Sequence, residues 1–443
     1  MSDFFFARSQ MAMSLAFHII FAALGIGMPL LMAIAEGMYL RTGQPVYLDL
    51  SKRWSRGTAV LFAVGAVSGT VLSFELGLLW PGFMEKAGAI IGMPFSLEGF
   101  AFFTEAIFIG VYLYGWNHLS PLLHWLSGII VAVSGIFSGI FVVTANAWMN
   151  APAGFKLVDG KFTDIDPMAA MLNPASFHEV LHMTLAAFVA TGFAVAAVHA
   201  FFLLRDRNNV FHRSALGIAL SVACISIPLQ ILSGDHSARV VGRLQPAKLA
   251  AMEADYHTQS GAPLVIGGIP NDETRTTDGA LRIPRGLSLL LDHDSTAKVV
   301  GLEDFPRNNW PNVRIVHWSF DLMVAAGMAM LALAFWSGWL WSTRRTLAEH
   351  KWLLRALVAA GPLGFLAIEA GWVVTEVGRQ PWIIYGVMRT EDAVTPMPWL
   401  VVPFVTFTVL YIFLAVIVCF VLRRQFLETP GPVTKPPTTA THA

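Results

Sequence analysis

Nine apolar runs, each long enough to cross roughly 30 Å of hydrocarbon as a helix, dominate this chain of 443 residues. Their approximate limits are 11–39, 57–80, 95–115, 121–147, 177–204, 214–233, 314–341, 353–378 and 396–422. Lipid offers a peptide group no hydrogen-bond partner, so each run must satisfy its own N–H and C=O groups, and a helix does this within one segment. The expected fold is an all-α polytopic membrane protein with nine transmembrane helices. Composition agrees, with 55% hydrophobic and 13% charged residues and a mean hydropathy of +0.60. The first run lacks a basic leader and a small-residue cleavage site, so it reads as a retained helix and not as a signal peptide. Cys224 and Cys419 lie singly in apolar runs, which implies neither a disulfide framework nor a clustered iron–sulfur or zinc site. A formal net charge of zero argues against a nucleic-acid role.

Basic residues collect in the connections after helices 1, 5, 7 and 9, among them Arg41, Lys52, Arg53, Arg205, Arg207, Arg344, Arg345 and Arg423. Alternating spans put all of them on one side, and the positive-inside rule then places the N-terminus outside and the C-terminus in the cytoplasm. The chain divides into helices 1–6 (1–233), a polar, Gly- and Pro-rich extracytoplasmic loop (234–313), helices 7–9 (314–428) and a cytoplasmic tail (429–443). Loops of this length are usually functional or disordered. No internal repeat supports an inverted-repeat transporter.

Polar residues inside the spans carry the functional argument, because lipid penalises each charge by several kcal/mol. The stretch Gly371-Trp372-Val373-Val374-Thr375-Glu376-Val377-Gly378-Arg379-Gln380-Pro381-Trp382 sets a carboxylate, a guanidinium and two indoles at the end of helix 8. A pocket for an anionic, iron-bearing macrocycle would account for them, with Arg379 on a propionate, Glu376 on a metal or proton, and Trp372 against the ring. Trp372 alone also suits an interfacial anchor. His18 in helix 1 needs a hydrogen bond or an iron. Glu98 and Glu105, seven apart on helix 3, suit a proton wire bridged by water or Ser138, or else two protonated acids tying helices together. His178 and His182 stack at i and i+4, as either a metal pair or one haem ligand with a satisfied neighbour. Met323 in helix 7 is core packing unless a histidine pairs with it. On the alternating topology, His18, Glu98, His182, Met323, Glu376 and Arg379 all fall in the outer half, beneath the long loop.

Several of these motifs, in order, resemble subunit I of the cytochrome bd quinol oxidases. They are Ala16-Phe17-His18, Ser96-Leu97-Glu98-Gly99 with Thr104-Glu105, Thr144-Ala145-Asn146-Ala147-Trp148-Met149, Leu181-His182-Met183-Thr184, Trp318-Ser319-Phe320-Asp321-Leu322-Met323 and the Gly371 to Trp382 string. Lys248-Leu249-Ala250-Ala251-Met252-Glu253 is similar to the family's quinol-binding stretch, where without the family the pair reads as solvated loop charges.

The resemblance implies that His182 and Met323 bind a low-spin haem b, and that His18 and Glu376 serve a high-spin haem b and haem d, or a further haem b in its place. Glu98 would lie close to the oxygen-binding haem, and the allocation between His18 and Glu376 stays open. Glu253 would take the quinol hydroxyl proton while Lys248 orients the other oxygen. The implied enzyme oxidises quinol at the outer face, reduces O2 to water with protons from inside through Glu105 and Glu98, and separates charge without pumping. Subunit II, with many helices, and a very small single-helix subunit are the implied partners in the bacterial cytoplasmic membrane.

Two departures stand out. Asp321 occupies a position where the family commonly carries Arg, which should lower the low-spin haem potential unless the acid is protonated or paired. The later insertion of some quinol loops is also missing, which makes this the short-loop form. Rival readings are a haem-b quinol dehydrogenase or electron-transfer cytochrome that never reduces oxygen, a proton-coupled transporter, and a purely structural membrane subunit.

Overall fold

The computed structural model describes residues 2–427, so the tail read at 429–443 lies outside the described residues. Among the described residues, nine helical segments are long and apolar enough to span a membrane. In chain order they are α1 (Asp3–Thr42), α2 (Pro45–Leu79), α3 (Pro81–Tyr114), α4 (Pro121–Asn150), then after the short α5 (Pro167–Met171) α6 (Ser176–Leu203) and α7 (Val210–Leu244). The long connection holds α8 (Pro246–Met252) and α9 (Gly286–Asp292), and α10 (Val313–Ser342) follows. The eighth span is two pieces, α11 (Lys351–Ala360) and α12 (Leu363–Arg379), and α13 (Val401–Leu427) is the last. Proline opens α2, α3, α4, α5 and α8, where its missing N–H costs no helical hydrogen bond.

Two helices outrun their apolar limits. Helix α3 begins at Pro81 instead of 95, because Pro81, Glu85 and Lys86 lower the hydropathy without breaking the helix, and Pro94 sits within it. Helix α7 continues to Leu244, so the polar residues Gly234 to Arg243 are helical. Hydropathy marks where the slab ends, not where a helix ends.

The long connection is ordered. Three antiparallel pairs nest inside one another, with Ile269 opposite Asp278, Leu264 opposite Ile283, and Gln259 opposite Val299. The turn at the centre of Leu264 to Asn271 uses Gly267 and Gly268 at φ +66° and +90°, a region where side chains are strained. Helix α8 and the following residues bury Ala250, Ala251, Met252 and Tyr256 against Val313 and Val316 of α10 and Val374 of α12. The connection thus sits on the ends of α10 and α12 instead of trailing in solvent.

Lipid cannot drive helices together by the hydrophobic effect, so close packing by small residues does the work. Helix α6 is the centre of that packing. Gly27 of α1 lies against Thr191, Gly192 against Ala219 and Ala223 of α7, Gly361 against Ala197, and Gly364 against Ala190. A Cβ at Gly364 would run into the Ala190 backbone, which cannot rotate away. Gly364→Val should therefore destabilise the protein by about 1–3 kcal/mol through overpacking. Its melting temperature in detergent should fall by several degrees, and an unchanged value would contradict this packing.

Candidate functional site

Arg379, at the last residue of α12, is 1% exposed. Its Nη2 donates to Glu376 Oε2 at 2.5 Å, and Asn146 Nδ2 of α4 donates to Glu376 Oε1 at 2.6 Å. One turn on, Asn150 gathers three more groups. Its Nδ2 donates to Glu179 Oε1 (3.1 Å), its Oδ1 accepts from Lys248 Nζ (2.8 Å), and its backbone oxygen accepts from Gln245 Nε2 (2.7 Å). Carboxylates from α6 and α12 and the Lys248 ammonium of α8 thus meet on two asparagines of one helix, with Arg379 joined through Glu376. The network still leaves Arg379 Nε and Nη1 buried with no partner. A desolvated cation with two idle donors is a site built for an anion.

The candidate nitrogen and sulfur ligands lie near this end of the bundle. His18 Nδ1 is 3.0 Å from Ser68 Oγ of α2, and His182 Nδ1 is 3.2 Å from Ser233 Oγ of α7. In both cases a neighbouring serine holds one ring nitrogen and orients the imidazole, an arrangement suited to a metal at the other nitrogen. Gln230 Nε2 approaches His182 Nε2 at 3.1 Å, and its own Oε1 is buried without a partner. Glycines clear space beside each group, with Gly69 against the His18 ring, Gly234 against His182 Cε1, and Gly371 facing Met323 Sδ. Trp372 borders the same buried apolar cluster as Leu15 and Ile19, which flank His18, and Met183, which follows His182. Its helix contacts both histidine-bearing helices.

His178 does not pair with His182. It is buried, and its Nδ1 lies 3.2 Å from Ser237 Oγ, one turn from Ser233, so each imidazole has its own serine. Among the described residues, no three His, Cys, Asp or Glu side chains converge to hold a metal ion.

Glu98 departs from the expected common level. It accepts from Ser138 Oγ at 3.2 Å, eight residues along α4 from Asn146, which puts it about 12 Å deeper than Glu376 by the helical rise. Neighbouring Gly139 faces Ile26, two turns beyond His18 on α1, which gives the same depth. The early start of α3 is the reason. Glu105 follows on the same face, buried against Gly135. Along α4 the carboxylates therefore descend in order, Glu376 at Asn146, Glu98 at Ser138 and Glu105 at Gly135.

Lys248 and Glu253 are each 4% exposed, which overturns the reading of a solvated pair. The Lys248 stem lies across Gly378, with Cγ 2.9 Å from where a Cβ would be, so Gly378 lets it reach Asn150. Burial and then the nearby Arg379 cation push the Lys248 ammonium below its usual range. Burial, then Asp321 and Asp255, push the Glu253 carboxyl up to about 8, and its Oε2 has no partner. Asp321 is itself paired. Its Oδ2 accepts from the Gly267 N–H at 2.6 Å and lies 3.5 Å from His317 Nε2.

The profile of the family described as cytochrome bd terminal oxidase subunit I matches residues 6–430. The chain belongs to that family. It is 38% identical over 437 residues to the "Putative cytochrome bd menaquinol oxidase subunit I" of Bacillus subtilis, covering 97% of this chain and 98% of that protein. It is 32% identical to the "Cytochrome bd ubiquinol oxidase subunit 1" of the same organism, covering 96% and 94%. The solved structure of bd oxidase from Geobacillus thermodenitrificans superposes with a TM-score of 0.92 at 38% identity, covering 97% of this chain and 99% of that one. Family membership makes this a multi-pass bacterial membrane protein, a terminal quinol oxidase subunit with quinol:oxygen oxidoreductase activity and haem cofactors. The electron-transfer cytochrome and transporter readings are not favoured.

Sequence reading passed over several groups in this frame. Glu179 lies between the two histidines that drew attention, and Glu36 and Glu75 are intramembrane carboxylates visible on the same criterion as Glu98. Glu75 accepts from Gln10 and Ser14, each at 2.9 Å, and Glu36 lies 2.7 Å from His124 Nδ1. Gln230, Ser68 and Ser233 carried no signal, because neutral polar residues in apolar helices are common.

The idle nitrogens of Arg379, the serine-held histidines and the cleared glycine faces all fit haem groups with carboxylate tails. Arg379→Gln should lower haem retention by about tenfold or more, from loss of a charge-assisted contact worth roughly 1.5–3 kcal/mol. Haem-to-protein ratio after purification reads this directly, and a wild-type ratio would refute the anion role.

Proposed function

We propose that His182 and Met323 would hold a low-spin haem b, and that His18 and Glu376 would serve the high-spin pair, a haem b and a haem d or a further haem b. Arg379 would pair with a propionate, and Trp372 would pack against the macrocycles. The observation that carries this reading is the buried Arg379 with two unpartnered nitrogens beside Glu376. When bound, the haems supply the electron relay and the site of oxygen reduction.

Quinol docks on the segment between α7 and α10, at the outer face of the cytoplasmic membrane, with the N-terminus outside. Glu253, once deprotonated, accepts the hydroxyl proton of quinol, and Lys248 donates to its other oxygen. Both stand at the α10 and α12 ends, so the reacting quinol is kept close to Met323 and Glu376 and away from water. At mid-membrane, Ser138 donates to Glu98, and Glu105 lies beyond it on the same face of α3. These two carboxyls hold protons arriving from the cytoplasmic side, so protons are released outside and consumed from inside without pumping. Subunit II would complete the enzyme on the lipid-facing sides of α2 and α3, where Phe74, Phe100, Phe103 and Ile107 are exposed. A very small single-helix subunit is the further partner.

Two experiments test this reading. His182→Ala and Met323→Leu should each abolish the low-spin haem spectrum and quinol oxidation while part of the oxygen-side pigment remains; a retained low-spin spectrum would sink the ligand assignment. Because Glu253 is held protonated until about pH 8, kcat/KM for quinol should climb about tenfold per unit below that value and level off above it. In Glu253→Gln the limb should vanish while turnover with an artificial donor persists, and equal loss of both activities would remove its donor-specific role.

A further inference from the structure

His317, in the second turn of α10, has no exposed surface. Its Nδ1 lies 2.7 Å from the Met252 carbonyl oxygen and its Nε2 lies 3.0 Å from that of Gly267. Carbonyl oxygens only accept, so a ring N–H is the donor, and the imidazole bridges two backbone carbonyls of the loop segment. Asp321, one turn further on, stands 3.5 Å from Nε2. Asp321 also takes the Gly267 N–H at 2.6 Å. Residue Gly267 is therefore gripped on both sides, its C=O by His317 and its N–H by Asp321. The positive φ of Gly267 and Gly268 turns the chain so that both groups face α10.

These bonds join two parts of the site. Met252 immediately precedes Glu253, and the same helix carries Met323 six residues, or about 9 Å, beyond His317. We propose that His317 and Asp321 form a hydrogen-bonded latch that fastens the quinol-binding segment to α10 and so sets Glu253 in register with Met323. His317 is a positioning residue for quinol oxidation and touches neither quinol nor haem. The latch also answers the Asp321 departure, because its side chain is committed to a peptide N–H beside the His317 ring instead of standing alone beside the sulfur ligand. The functional half of this inference rests on the reading of Glu253 as the quinol proton acceptor.

The test uses the complete oxidase, with His317→Phe to remove the ring nitrogens and His317→Gln to keep a hydrogen-bonding amide in their place. Hydrogen exchange of backbone amides over 252–268 should accelerate about tenfold in His317→Phe, as expected for losing buried hydrogen bonds. Quinol KM should rise by a similar factor, with kcat, artificial-donor turnover and the low-spin haem spectrum close to wild type. His317→Gln should restore part of both losses. Unchanged exchange would overturn the latch, and faster exchange with an unchanged quinol KM would overturn its positioning role. If Glu253→Gln leaves quinol turnover intact while His317→Phe still raises KM, the Glu253 reading fails and the latch stands. Should His317→Phe not assemble with haem, Asp321→Ala at a partly exposed position replaces it, with faster exchange and a raised KM expected and an unchanged value of either overturning the same half of the proposal.

Discussion

A guanidinium sealed from water at the end of a lipid-embedded helix is the constraint around which this protein is arranged. Arg379 cannot be left bare there, and its environment supplies Glu376 to one nitrogen while Nε and Nη1 are left without a partner. Glu376 in turn needs Asn146, and the adjacent Asn150 ties in Glu179, Lys248 and Gln245. A chain of polar contacts therefore runs from α12 through α4 to α6 and to the segment after α7. Each charge is tolerable only because the next is in place, which makes the cluster a unit and not a set of independent pairs.

Holding such a cluster together demands helices that approach closely and at a defined depth. Small residues at the faces of α1, α6, α7 and α12 provide the approach, and α4 provides the depth scale. Asn150, Asn146, Ser138 and Gly135 meet the loop segment, Glu376, Glu98 and Glu105 in turn. The candidate ligands are thereby concentrated toward one end of the bundle, while Glu98 and Glu105 lie deeper within it. On the proposed reading, that polarity lets oxidation and proton uptake face opposite sides of the membrane.

Much of this was readable before the fold. Spans stand out because lipid leaves the backbone no alternative to helices, and His18, His182, Glu98, Glu376 and Arg379 stand out because lipid resists them. What was lost followed from the same physics. The start of α3 was hidden because a helix can leave the slab without ending, and that error placed Glu98 too near the surface. Lys248 and Glu253 looked like loop charges because burial by tertiary contact leaves no mark in local composition. Gln230, Ser68 and Ser233 act only through the side chain they face, and His317 means little until Met252 and Gly267 are folded onto it.

The most direct test of the central claim is a density map of the complete oxidase with its cofactors bound, read at four side chains. The account predicts iron bonded by both His182 and Met323, further iron at His18 and Glu376, and a propionate on the idle nitrogens of Arg379. Haem iron held by other side chains, or an Arg379 whose Nε and Nη1 still face no anion, would contradict it.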